Sequence, residues 1–296
     1  MTRTRARTWR PGPFTIVIAV VALAGAGAGL YPMTAQWVSS YNQSLVVDDY
    51  ASIVERVDPS AAQQMREARA YNDDLSAGKF VVRRDGGTPI SAGASTAESF
   101  DYDTLLRASS DGLMGRVRIP KIDVDLPIYH GTDDAVLARG AGHLEGSHLP
   151  IGGLGTRSVI TAHRGLADAA MFTDLDRVEV GDSFTVAVFG EVLSYRVTTV
   201  EVIDPESTST LRAIPEEDLV TLITCTPLGI NTQRIVVTGE RVTPTPAAEI
   251  KAIAGPSTVP GFPWWSAWGG AAVVAVGTYI VVQGFRDSPA STEAAE

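Results

Sequence analysis

Two stretches without a charged side chain bracket this chain, Phe14–Leu30 and Gly269–Phe285. As helices, the first spans ~25 Å and the second, counted from Trp264, ~33 Å, against a hydrocarbon core of ~30 Å. Arg3, Arg5, Arg7 and Arg10 precede the first run, and Arg286 closes the second. Basic residues ahead of an apolar run hold that end in the cytoplasm, and tryptophans such as Trp264, Trp265 and Trp268 favour the membrane interface. If both runs are anchors, both termini are cytoplasmic and Tyr31–Pro263 forms one extracytoplasmic domain. The first run has a second reading. Ala24-Gly25-Ala26 has the form of a signal-peptide cleavage site, and that reading also exports the chain beyond it.

The exported part is acidic. In the whole chain Lys+Arg number 24 against 34 Asp+Glu, for a formal charge of −10, and setting aside the N-terminal arginines and the C-terminal tail leaves the exported part more acidic still. Nucleic acid is therefore not the expected partner, since tracking phosphates takes a basic surface. Cys225 is the single cysteine, so an internal disulfide and a multi-thiolate metal site are excluded. The thiol is either a buried apolar group or a reactive one.

Between the anchors the chain changes character twice. Thr34 is positioned to cap a helix running to about Val57. Asp58-Pro59-Ser60 then stops it and starts a second helix, Ala61–Leu75. Trp37, Tyr41 and Leu45, four apart, read as one packed face of this hairpin. Lys79–Leu106 is a polar loop marked by Gly86-Gly87 and Pro89. From Met114, short β-like runs alternate with turn signals: Gly115–Ile119, Leu126–Tyr129, Ser158–Thr161, Ser183–Phe189, Val192–Val202, Leu219–Thr224 and Ile235–Arg241. That rhythm predicts a β-barrel or sandwich. The alternation slips phase between Val197 and Val200, which predicts a bulge. Ala167–Leu175 reads as the one helical insertion, and Thr243–Pro260 as a Thr/Pro/Ala linker.

The chemistry concentrates in Leu219–Arg241. Cys225 ends one apolar run, Thr226-Pro227-Leu228-Gly229-Ile230-Asn231 turns the chain, and Arg234 opens the next run. His163, in Thr161-Ala162-His163-Arg164-Gly165, sits at a similar strand-to-loop junction. An imidazole beside a thiol stabilises the thiolate and later protonates a leaving amine. An arginine can donate to the oxyanion of an acyl intermediate. The other three histidines read differently. His130 follows Pro127-Ile128-Tyr129 as a hydrogen-bonded strand end. His143 and His148, even with Asp133 or Asp134, lack a metal-ligand spacing.

These segments resemble a known family. Thr221-Leu222-Ile223-Thr224-Cys225 is similar to the TLxTC motif of sortases, transpeptidases of the Gram-positive cell wall. Cys225-Thr226-Pro227 with Asn231-Thr232 and Arg234 resembles the class C, pilin-polymerising form. So do Ile119-Pro120-Lys121-Ile122, Leu126–Thr132, Gly142–Ser147 and Thr161–Gly165. The likeness covers about Thr34–Val242, and the two-anchor layout fits the same class. It implies a mainly β fold, an eight-stranded sortase barrel with an N-terminal helical hairpin and flanking transmembrane helices.

The resemblance also implies a mechanism. Cys225 attacks the Thr–Gly bond of an LPxTG-like sorting signal, His163 is the general acid/base, and Arg234 holds substrate or oxyanion. The acyl group passes to a lysine amine of a pilin or, in a housekeeping sortase, to a lipid II amine of peptidoglycan. No cofactor and no metal is needed. The rival from another class is a non-catalytic surface scaffold. The implied organisation is a basic cytoplasmic tail (1–13), an anchor or signal segment (14–31), the hairpin (32–78) and a loop or lid (79–113). The barrel (114–243), a linker (244–263), the second anchor (264–285) and a cytoplasmic tail (286–296) come after it. The family's Asp-Pro-aromatic lid motif is missing here. Asp85 precedes Gly86-Gly87, and Phe100-Asp101-Tyr102 has no proline.

Overall fold

The computed structural model describes residues 9–78 and 101–286. It divides into two compact units, one of Met1–Trp37 with Gly261–Glu296 and one of Val38–Pro260. Two helices, α1 (Pro13–Val54) and α5 (Trp264–Arg286), are long and apolar enough to cross a membrane. Within the first unit the Trp37 indole donates to the Gly261 carbonyl at 2.8 Å and meets the Trp265 ring edge-on.

The helical part differs from the sequence expectation in two places. Thr34 caps nothing, because α1 already runs through it and its hydroxyl donates to the Leu30 carbonyl of the preceding turn. Tyr41 and Leu45 are exposed and do not form the packed face. The buried stripe is offset from them and runs through Gln43, Val47, Tyr50 and Val54, the spacing one helix face requires. The Tyr50 hydroxyl donates to the Met114 carbonyl and accepts from the Phe189 amide, which fixes this helix to the barrel. Helix α2 (Ala61–Ser76) buries Met65, Ala68, Tyr71 and Leu75. Its Asn72 amide pairs with both backbone groups of Leu149.

Eight strands close into a barrel in the order β1-β2-β3-β4-β7-β8-β6-β5. They are β1 (Leu113–Ile119), β2 (Val124–His130), β3 (Ala141–His143), β4 (Thr156–Thr161), β5 (Ser183–Val188), β6 (Glu191–Ile203), β7 (Asp218–Thr226) and β8 (Gln233–Val242). Most pairs are antiparallel, but β2 with β3 and β4 with β7 run parallel. The expected bulge lies between Val197 and Thr199 of β6. A short helix, α3 (Asp134–Leu137), precedes β3, and the Asp133 carboxylate caps it by accepting the Val136 amide.

Side-chain alternation separates two faces. Val117, Ile128, Ile160, Val186, Val220, Leu222 and Val237 point into the main core. Burying a residue of this kind contributes ~1.5–3 kcal/mol. Val159, Ile223 and Val236, one position out of phase, point the other way. They form a second apolar cluster with Leu211 of the β6–β7 connection.

Two further expectations are corrected. Ala167–Leu175 is not a helix. Ala169, Met171, Phe172 and Leu175 are all buried, and the Phe172 amide donates to the His163 carbonyl rather than along a helix. Packing of those side chains against the barrel overrides the local helical pattern. The stretch 243–260 is not a bare linker either. It contains α4 (Ala247–Ala254), whose Ile253 is buried and whose Ile253 carbonyl accepts from Arg116.

Candidate active site

The β7–β8 hairpin sets the first two groups. In this antiparallel pair Cys225 lies directly opposite Arg234, so their Cα atoms are ~5 Å apart. The connecting turn is tight, with the Ile230 and Asn231 amides both donating to the Pro227 carbonyl. Asn231 adopts φ 60°, a left-handed conformation that asparagine tolerates. The Arg234 guanidinium curls back over this turn and donates through Nη1 to the carbonyls of Asn231 and Gln233. Its Nε and Nη2 take no hydrogen-bond partner among the described residues.

His163 arrives from β4, which pairs in parallel with β7 and has Thr161 opposite Ile223. The contact continues past the last paired residues. The Ala162 amide donates to the Ile223 carbonyl, and the Thr224 hydroxyl donates to the Ala162 carbonyl at 2.8 Å. His163 follows two residues after Thr161, past the end of β4 and beside the end of β7 that carries Cys225. Alternation puts Cys225 and Arg234 on the outer face that carries the second apolar cluster, and His163 follows on the end of β4. All three are half-buried, so each is open to a ligand.

The remaining histidines lie elsewhere. His130 ends β2, with its ring nitrogens against the carbonyls of Gly112 and Leu105. His143 is fully buried, and Tyr102 and the His148 carbonyl bond its two nitrogens. Burial pushes its pKa down to about 3. Of the proposed lid, Lys79–Leu106, residues 79–100 lie outside the described residues. Tyr102 is buried, and its ring meets those of His130 and His143.

A sortase-domain family model matches residues 117–242, from β1 to the end of β8. Sortase D of Bacillus subtilis is 30% identical over 132 residues, which cover 44% of this chain and 64% of that protein. This chain thus spans slightly less than two thirds of that relative. Sortase C-1 from Actinomyces oris is 42% identical to it, with a TM-score of 0.53 over 62% of this chain and 99% of that structure. The chain belongs to the sortase family. Sortases are cysteine transpeptidases. Another solved relative, Clostridium perfringens sortase C with the C-terminal cell wall sorting motif, is 34% identical. Its TM-score is 0.56 over 67% of this chain and 97% of that one.

One residue at this candidate site does not stand out in the sequence. Arg164 comes directly after His163, and its side chain is only 9% exposed. It donates through Nε to the Thr173 carbonyl and through Nη1 to the Thr226 hydroxyl, and it pairs with Asp176 at 2.8 Å. Arg164 thus ties the end of β4 to the residue after Cys225. Gly165, at φ +74°, completes the join, since a side chain there would strike Leu228 of the β7–β8 turn. The signal available in the sequence is an arginine beside the candidate histidine, but its partners are distant in sequence.

Proposed function

We propose that this chain is a class C, pilin-type sortase. The observation that supports the reading is the pairing of Cys225 with Arg234 across the β7–β8 hairpin, with His163 two residues past the end of β4, the strand that pairs with β7. In this mechanism the Cys225 thiolate attacks the Thr carbonyl carbon of an LPxTG-like signal, and Arg234 donates to the developing oxyanion. The Thr–Gly C–N bond breaks as His163 protonates the leaving amine, and a Cys225 thioester remains. The incoming amine then attacks that carbonyl, gives its proton to His163, and expels the thiolate. Arg164 serves as a positioning residue through Thr226. The outer-face cluster of Val159, Leu211, Ile223 and Val236 offers the apolar residues of the signal a surface beside the thiol.

The acceptor in this reading is a pilin lysine, in keeping with the sortase C structures among the solved relatives. Helices α1 and α5 anchor the enzyme, with the catalytic unit outside the cell and both termini in the cytoplasm. The test uses the full chain in detergent with an LPxTG peptide and, separately, a pilin lysine or a lipid II-type amine. A hydroxylamine-sensitive adduct on Cys225, absent in Cys225→Ala and resolved by the lysine, is the expected result. Undiminished transfer by Cys225→Ala would overturn the chemistry. Resolution by the lipid II amine alone would make this a housekeeping sortase.

A further inference from the structure

On the outer face, beyond the apolar cluster, lies a buried arginine with no counter-ion among the described residues. Arg157 of β4 is 5% exposed. Its Nη1 donates to the Thr221 and Thr238 hydroxyls at 3.0 and 3.2 Å. Its Nε is buried without a hydrogen-bond partner, and among the described residues its Nη2 has none either. Glu217 and Glu201 act on the guanidinium only from beyond ion-pair distance, and burial lowers its pKa despite them.

Arg157 lines a cleft of about 530 Å³ between the end of α2, the loop before β4 and the β6–β7 connection. His148, on the wall, cannot share the charge. Its Nδ1 accepts the Arg157 amide, which leaves Nε2 to donate to Ser76, and burial favours this neutral ring. Leu211 belongs both to this cleft and to the apolar cluster beside Cys225, so the two are continuous. Thr221 and Thr238, which Arg157 touches, lie four residues from Cys225 and Arg234 along their strands, or ~13 Å.

We infer that Arg157 is a binding subsite for a carboxylate side chain of the sorting peptide, one or two residues before its LPxTG-like motif. This rests on the transpeptidase reading above. With the Thr carbonyl at Cys225, the four residues from Leu to Thr span ~13 Å when extended. The apolar residues then cover Val159, Ile223 and Leu211, and the next residue arrives at Arg157. A carboxylate there supplies the counter-ion that the barrel does not, through a charge-assisted hydrogen bond to Nη2. A monoanion fits better than a phosphate dianion, because Glu216 also borders the cleft.

The test compares sorting peptides carrying Glu or Gln at each of the two positions before Leu. Binding to the Cys225→Ala chain and kcat and KM with the wild-type chain are both read. A Glu-over-Gln preference of about tenfold or more, expressed in KM and in binding, is expected from a charge-assisted bond. In Arg157→Met the ratio should fall to about one. In Arg157→Lys, which keeps the charge, it should stay above one and below the wild-type ratio. A wild-type ratio of one, or a preference that survives in Arg157→Met, would overturn the inference. Because binding to Cys225→Ala needs no chemistry, failure of acyl transfer would count against the transpeptidase reading alone.

Discussion

Arg116 of β1 and Arg157 of β4 are both strand arginines, 4% and 5% exposed, and their surroundings are opposite. Arg116 is closed. Its Nε and Nη2 pair with the two oxygens of Asp125, each at 2.6 Å, and its Nη1 donates to the Ile253 and Gly255 carbonyls. Ser257 completes Asp125 at 2.8 Å, so one ion pair gathers β1, β2 and the segment after β8. Arg157 has two threonine hydroxyls and an open cleft. Burial therefore does not separate a structural arginine from one waiting for a ligand. The set of partners around each guanidinium does.

The contrast breaks first at Arg116. Asp125→Asn leaves a buried guanidinium without its counter-ion and should cost ~3–5 kcal/mol. Part of that cost is the release of α4, which Arg116 holds through the Ile253 carbonyl. Thermal unfolding of the full chain in detergent measures it. A loss below ~1 kcal/mol would place Arg116 in the same class as Arg157, against the distinction between them.

A pH-dependent effect sharpens the same contrast through histidines. His143 is as closed as Arg116, while the His163 ring has no hydrogen-bond partner among the described residues. Burial first, and then the neighbouring His130 and His148, hold the His143 pKa down at about 3. In the unfolded chain it returns to ~6.5, so there the unfolded state binds the extra proton. The neutral ring's contribution to stability is present in full above ~6.5 and is lost as pH falls from there towards 3, by up to ~1.4 kcal/mol per pH unit. His143→Gln should flatten the acid limb of the stability profile. An unchanged slope would mean that other groups carry it, among them His130 and His148, whose pKa values burial also lowers.

Legibility in the sequence tracks how local each signal is. The runs that became β4, β7 and β8 alternate clearly, and the phase slip in β6 marked a real bulge. The Cys225–Arg234 hairpin was readable because its turn is local. The place of His163 was not, since the end of β4 is set by a parallel pairing with β7, a strand far off in sequence. Strand β3 escaped because Ala141-Gly142-His143 has no β-like composition. Its place comes from neighbours on both sides, and a side chain at 142 would collide with the Gly131 carbonyl. Helix α4 looked like linker because nothing in Thr243–Pro260 announces that Arg116 will hold it. Arg157 raised no signal at all, because a strand arginine reads as exposed until the residues packed over it are known.

The smallest expected effect is the sharpest discriminator. Arg157→Met removes two hydrogen bonds, but it also removes a buried charge without a counter-ion, and a methionine fills similar volume without desolvating anything. The threonine hydroxyls left behind are not orphaned, since Thr221 and Thr238 lie 3.2 Å apart and can bond each other. The net change in stability should be between zero and a gain of ~2 kcal/mol, in the same unfolding assay as Asp125→Asn. A loss of more than ~2 kcal/mol would mean that the guanidinium is a structural tie for β4, β7 and β8. A neutral or stabilising result would leave the charge without a structural reason, and a carboxylate arriving from outside the chain would then be the partner that its position lacks.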